Sequence, residues 1–270
     1  MSAIDTLFSK LKATGHKAFM PFVTAGDPNL AYTAECLKQL DEAGCHLVEL
    51  GIPYSDPIAD GPVIQASYTR ALNNGTKLAA ILDMVKEVAP QITMPIVTMV
   101  SYSIIYRTGL DAFLEKAVAA GVAGAIVPDM PVDEAGEFAK KCADRDFSLI
   151  QLITPTTAES RVVEIANQAT GFVYYVSITG ITGERTELPD NLVSNIQALR
   201  SKTTLPVCVG FGISSPEQAG MLKPVADGLI VGSAIVRRIA ECSTDEKVSE
   251  EASISNVRKF ASEMLAAINS

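Results

Sequence analysis

The stretch from Leu205 to Val236 reads LPVCVGFGISSPEQAGMLKPVADGLIVGSAIV. Two short apolar runs, LPVCVGFG (205–212) and DGLIVGSA (227–234), each close on glycine and small residues. Between them, Ser214 or Ser215 is placed to cap a helix. Neither run alternates apolar with polar, so each reads as a strand buried on both faces, the normal condition of a parallel sheet. The same unit recurs on both sides of this stretch. Further runs are AFMPFVTAG (18–26), HLVELGIP (46–53), MPIVTMVSY (94–102), AGAIVPDMP (123–131), SLIQLITP (148–155) and FVYYVSITG (172–180). Strands that alternate with helices imply right-handed βαβ units. Eight of them in 270 residues imply a closed (β/α)8 TIM barrel, an α/β fold, as one domain over 1–270. An open doubly wound sheet is the rival, but it does not require eight repeats.

The intervening segments carry helix signals. Asp27-Pro28 reads as an N-cap followed by the first helical position, with Gly44 closing that helix. Over 109–121, Leu110, Phe113, Leu114, Ala117 and Val118 form the stripe of a helix that covers a sheet, and Gly121 ends it. Ile254, Val257, Ala261, Met264, Leu265 and Ile268 give a final helix the same stripe. An extra N-terminal helix over 2–13 is placed to plug the N-terminal face of the barrel. The charged piece 243–252 reads as a solvated loop or helix start.

Composition narrows the function. The net charge is −9 and no Lys/Arg-rich segment stands out, which makes nucleic acid and anionic membranes poor partners. No apolar run reaches the length of a membrane span, and the first residues lack a secretory h-region. The five cysteines form no CxxC pair and read as free thiols in a reducing compartment. The expected location is the cytoplasm, or a plastid had a transit peptide been removed.

Barrel active sites lie at the C-terminal ends of the strands, with phosphate commonly held by the loops after strands 7 and 8. Gly210 and Gly212 follow strand 7, Gly232 and Ser233 follow strand 8, and Gly180 and Gly183 follow strand 6. Ser233 opens a short helix whose free N–H groups favour an anion. Three such loops on adjacent strand ends point to a phosphate-bearing small molecule, although glycines also serve simple tight turns. Both histidines, His16 and His46, precede strands, so no metal site is expected at the mouth. No lysine is placed inside the barrel for a Schiff base. Neither GxGxxG after strand 1 nor a Walker sequence is present.

What remains at the strand ends is Glu49, Asp56, Asp60, Asp129, Tyr102, Tyr174, Tyr175 and Thr182, a toolkit for general acid–base catalysis. In LVELG, Glu49 faces opposite to Val48 and Leu50, so it points into the barrel if those two pack under helices. Burial there raises its pKa and lets it give and accept a proton near neutrality. A structural carboxylate would need a cationic partner, and no Arg or Lys lies at a strand end. Asp56 and Asp60 each read alone as turn or cap residues, but beside Glu49 at least one of them is expected to serve the site. Asp129 reads first as a cap. Phe22, Val100, Tyr102, Ile153 and Phe211 suit an apolar, aromatic pocket beside the phosphate.

VELGIPYSDPIADGPVIQ (48–65), with FVTAGDP, YYVSITGITG, GFGIS and VGSAIV in order along essentially the whole chain, resembles the tryptophan synthase α-subunit family. The resemblance implies retro-aldol cleavage of indole-3-glycerol phosphate to indole and glyceraldehyde 3-phosphate. It implies Glu49 as the general acid–base, Asp60 as the second catalytic carboxylate and Tyr174 as the active-site tyrosine. Phosphate would go to Gly183, Gly212, Gly232 and Ser233, and indole to a pocket of Phe22, Val100, Tyr102, Ile153, Thr182 and Phe211. The family acts in an α2β2 heterotetramer with a β subunit that carries pyridoxal phosphate, and no cofactor is expected in this chain. Pro53 and Asp56 would then touch the partner. ITGERTELP, with Glu184, Arg185 and Glu187, departs from some relatives. The alternatives are a stand-alone lyase that releases free indole, a subunit acting chiefly as an allosteric binder and, more distantly, a phosphate-binding barrel isomerase.

Overall fold

The computed structural model describes residues 1–57, 60–176, 191–210 and 212–270. Its strands are β1 (Ala18–Thr24), β2 (Val48–Gly51), β3 (Ile96–Met99), β4 (Val122–Ile126), β5 (Ser148–Ile153), β6 (Val173–Val176), β7 (Val207–Gly210) and β8 (Gly228–Val231). They pair in parallel in chain order, and β8 returns to β1, closing the barrel. All eight expected runs hold a strand, and the rival open sheet is excluded by the β1–β8 ladder.

Among the described residues the helices are α1 (Ala3–Thr14), α2 (Leu30–Glu42), α3 (Pro62–Asn73), α4 (Leu78–Val88), α5 (Tyr102–Thr108), α6 (Leu110–Ala119), α7 (Val132–Ala143), α8 (Glu159–Gln168), α9 (Leu192–Arg200), α10 (Pro216–Leu222), α11 (Ser233–Thr244) and α12 (Glu250–Asn269). None is long and apolar enough to cross a membrane.

Two separate layers of core follow from the two-residue period of the strands. Val48, Leu50, Leu149, Val173, Val207, Val209 and Leu229 face outward and pack with helix residues such as Leu37, Phe113 and Val257. Met20, Leu47, Val97, Ile126, Ile150, Tyr174, Cys208 and Ile230 fill the barrel interior. Ile4, Phe8 and Leu11 of α1 join that interior set, with the Phe8 and Phe172 rings 5.6 Å apart. The N-terminal helix thus plugs the bottom, and its Ser2 forms a capping box with Asp5. In α12, Ile254, Val257, Ala261, Met264 and Ile268 are buried as expected. In α6, Phe113, Leu114 and Ala117 are buried, while Val118 is exposed. At 100° per residue Val118 sits at the edge of that stripe, about 80° from Leu110.

Two local expectations are corrected. Asn29, not Asp27, caps α2, accepting from the Tyr32 N–H at 2.7 Å. The Asp27 carboxylate is instead buried and receives two bonds from the Arg70 guanidinium, at 2.8 and 2.7 Å, tying the β1 loop to α3. The helix opened by Ser233 is not short: α11 has 12 residues and packs against α12. The five cysteines are free, and four are buried.

Candidate active site

The register places Phe22 of β1, Glu49 of β2 and Val97 of β3 side by side at one level of the barrel. Glu49 is 2% exposed, because Val48 and Leu50 pack outward and alternation turns Glu49 in. Its Oε2 has no hydrogen-bond partner, and no ion pair reaches it among the described residues. A carboxylate in that setting resists ionisation: burial first, and then the nearby Asp60 charge, push its pKa up to about 8.

Asp60 arrives on the loop after β2 and is 8% exposed. Its backbone is held firmly. The Asp60 N–H donates to the Pro57 carbonyl at 3.1 Å, and the Gln65 side-chain amide donates to the Asp60 carbonyl at 2.7 Å. Gly61 and Pro62 then start α3. Burial raises the Asp60 pKa to about 6. The two carboxylates are therefore driven to different protonation states around neutrality, the condition for dividing acid and base roles.

Tyr174 is buried in the barrel interior, and Tyr175 lies in the strand–helix layer. Burial, followed by the Glu49 and Asp60 charges, raises the Tyr174 pKa strongly. A Cβ at Gly210 would collide with the Tyr174 ring, so the ring position depends on that glycine.

The phosphate candidates divide. Gly212 has φ +79°, a left-handed conformation that favours glycine. Gly232 is the N-cap of α11, with Ser233 at its first position. Lacking a side chain, Gly232 leaves the first N–H groups uncapped and directed outward, as an anion requires. A Cβ on Gly232 would lie 3.7 Å from the Phe22 Cβ, which puts this helix start beside the mouth. Gly180, Thr182, Gly183 and Phe211 lie outside the described residues. Ser215, rather than Ser214, caps α10.

A cavity of about 210 Å³ opens at the C-terminal end of β2 and β3, lined by Ile52, Asp60, Tyr68, Met99, Val100 and Asp129 among others. Val100 is thus at the mouth. Tyr102 starts α5 and stands half-buried, its ring 6.1 Å from that of Tyr106. Ile153, expected in the pocket, packs in the strand–helix layer with Leu149, because alternation from Ile150 turns it outward. Asp129 caps α5 from the next strand: it accepts from the Tyr102 N–H and the Ser101 hydroxyl, both at 2.7 Å. Asp56 is exposed and accepts from the Ser55 hydroxyl at 2.6 Å, while Pro53 beside it is buried. His46 lies at the bottom, its Nδ1 accepting from the Phe19 N–H at 3.1 Å.

Tyr68 is not visible from the strand ends. It sits on α3 and is 3% exposed. The spacing of Ile64, Tyr68 and Ala71, all buried, is an inward helical stripe directly after the Asp60 loop, and that was the available signal.

The barrel thus holds two carboxylates in its mouth with an open helix start beside them. The family model for the tryptophan synthase alpha chain matches residues 8–268. The chain belongs to the tryptophan synthase alpha chain family. It is 54% identical over 252 residues to the tryptophan synthase alpha chain of Rhodopirellula baltica, covering 92% of this chain and 91% of that one. The alpha chain of Synechocystis is 48% identical over 247 residues, covering 91% and 94%. Among solved structures, tryptophan synthase subunit alpha from Legionella pneumophila superposes with a TM-score of 0.91 at 34% identity, covering 99% of this chain and 98% of that one. As a member of this family, the protein is a lyase of tryptophan biosynthesis, and its reaction is the cleavage of indole-3-glycerol phosphate. A stand-alone lyase releasing free indole is not favoured by these relatives. Membership of the tryptophan synthase alpha chain family also implies a β-subunit partner.

Proposed function

We propose that this one-barrel chain cleaves indole-3-glycerol phosphate by general acid–base catalysis with Glu49 and Asp60. Protonated Glu49 delivers its proton to indole C3, and positive charge develops on the ring. Ionised Asp60 accepts a hydrogen bond from indole N1–H and stabilises that charge. The glycerol hydroxyl next to the breaking bond loses its proton as the C–C electron pair returns to the ring, and Glu49, now a carboxylate, accepts it. Indole and glyceraldehyde 3-phosphate result, and Glu49 is regenerated. Tyr174 packs beneath the reacting ring. The phosphate binds at Gly212, Gly232 and Ser233 together with Gly183, mainly through backbone N–H groups. The indole lies among Phe22, Val100 and Tyr102, with Thr182 and Phe211.

The observation that carries this reading is a buried, uncompensated Glu49 beside Asp60 in one mouth. The partner is a tryptophan synthase β subunit in an α2β2 assembly in the cytoplasm. That partner carries the pyridoxal phosphate, this chain needs no cofactor, and the exposed Asp56 lies on the contact side, whereas Pro53, expected there too, is buried. The test is Glu49→Gln. Acid–base steps contribute roughly 10²–10⁴-fold, so turnover should fall by that factor while binding of indole-propanol phosphate is kept. Retention of more than about a tenth of the activity would remove Glu49 from the role.

A further inference from the structure

Tyr68 stands where the proposed chemistry needs a donor. Its ring is buried with Phe22, Ile64 and Val236, which fixes the direction of the phenol. The residue lines the same cavity as Asp60. The hydroxyl lies 3.1 Å from the point that a Cβ on Gly51 would occupy. Gly51 is two residues beyond Glu49 on β2 and shares its facing, so the hydroxyl sits beside a strand position about 6–7 Å beyond Glu49 toward the mouth. The space is kept open by glycine: any side chain at Gly51 would collide with the Phe22 ring and crowd this hydroxyl. Among the described residues the hydroxyl has no hydrogen-bond partner. Burial first, then the Asp60 charge and the Glu49 charge, oppose ionisation of the phenol, so the O–H keeps its proton and can serve as a donor.

We propose that Tyr68 is a positioning residue for the reaction, its phenol O–H donating to the Asp60 carboxylate and holding it ionised against indole N1–H once substrate fills the mouth. The inference rests on the role given to Asp60 above. It follows from what surrounds that carboxylate. Among the described residues, the titratable groups near Asp60 are Glu49 from β2, Tyr68 from α3 and Tyr174 from β6, with Asp56, Tyr54 and Asp129 in the cavity wall. Among the described residues lining this cavity there is no lysine, arginine or histidine. Burial opposes ionisation of Asp60. Among the described residues of the cavity, a directed neutral donor is a means of keeping Asp60 anionic; of the two tyrosines that line it, Tyr54 is partly exposed, whereas Tyr68 is buried with its ring direction fixed by packing.

The experiment compares Tyr68→Phe with the native chain in indole-3-glycerol phosphate cleavage, with and without a tryptophan synthase β subunit, across pH. Phenylalanine keeps the ring packing and removes only the donor. A hydrogen bond to a charged group is worth about tenfold or more. The expected result is a kcat lower by about that factor, a KM changed less than about twofold, and an acidic limb of the pH–rate profile moved to higher pH. In an Asp60→Asn background the same change should add little, because the two groups act as a unit. A Tyr68→Phe enzyme with native kcat overturns the proposal, as does a lowered kcat with an unmoved acidic limb. If Asp60→Asn alone keeps native activity, the underlying role of Asp60 fails instead, so the two failures are distinguishable.

Discussion

Glu49 carries opposite consequences for activity and for stability. Burial holds its pKa up to about 8 and that of Asp60 up to about 6. The proposed mechanism needs Glu49 protonated and Asp60 ionised. The kcat/KM profile should therefore be bell-shaped, falling below about pH 6 as Asp60 gains a proton and above about pH 8 as Glu49 loses one. Stability responds differently. The unfolded chain releases the Glu49 proton near 4.5, while the folded chain keeps it to about 8. Between these values the folded state binds the extra proton, so stability falls as pH rises through this window. Glu49→Gln removes the penalty. The inactive variant should be more stable than the native chain at pH 9, by an amount on the order of 3–5 kcal/mol. Urea midpoints at pH 5 and pH 9 test this, and a gap that does not widen with pH would contradict it.

At the scale of elements, the site depends on contacts that no catalytic residue makes. The loop after β1 and helix α3 are joined by the Arg70–Asp27 pair, in which Asp27 is 1% exposed and Arg70 is 26% exposed. Arg70→Ala strands a buried carboxylate, and breaking such pairs costs about 3–5 kcal/mol, less here because Arg70 is partly solvated. A loss of about 2–3 kcal/mol by chemical denaturation is expected, together with reduced activity, since α3 carries Tyr68 and follows Asp60. Gly51→Ala forces its Cβ into the Phe22 ring. Overpacking of this kind costs typically about 1–3 kcal/mol, and it displaces the wall beside Glu49. Substrate analogue affinity and kcat should fall together, and an unchanged kcat would show that the wall yields elsewhere. Phe8 at the far end of the barrel supplies a control. Phe8→Ala opens a cavity under Phe172 and should cost about 3 kcal/mol or more while leaving the pH–rate profile in place.

For the whole molecule, the closed barrel gathers the strand ends at one face, so the mouth and the exposed Asp56 share a surface. A β subunit docked there would control the same loop that delivers Asp60. Cleavage by the isolated chain should rise on addition of the partner, by a factor in the range of about 5–150 expected of an allosteric coupling. Asp56→Ala should reduce that stimulation more than it reduces the unstimulated rate. Equal losses in both would place Asp56 in the chemistry rather than at the contact.

The barrel was legible from sequence because its cause is local and repeated: eight doubly buried strands need apolar runs, and the helices between them need a stripe. Glu49 was legible for the same reason, since a two-residue period fixes facing once its neighbours are known to be outward. Asp60 was readable only as one of two loop carboxylates, and the family resemblance was needed to choose it. Tertiary structure decided the rest. Asp129, already readable as a cap, found α5 as its helix because α5 lies against its loop, Ile153 turned outward, and Asp27 paired with an arginine 43 positions away. Tyr68 reached the mouth because α3 packs its inner stripe on Phe22 and Val236. A periodic pattern says which way a side chain points along its own element. Which other side chain it meets depends on how elements distant in the chain pack, and only the folded structure contains that.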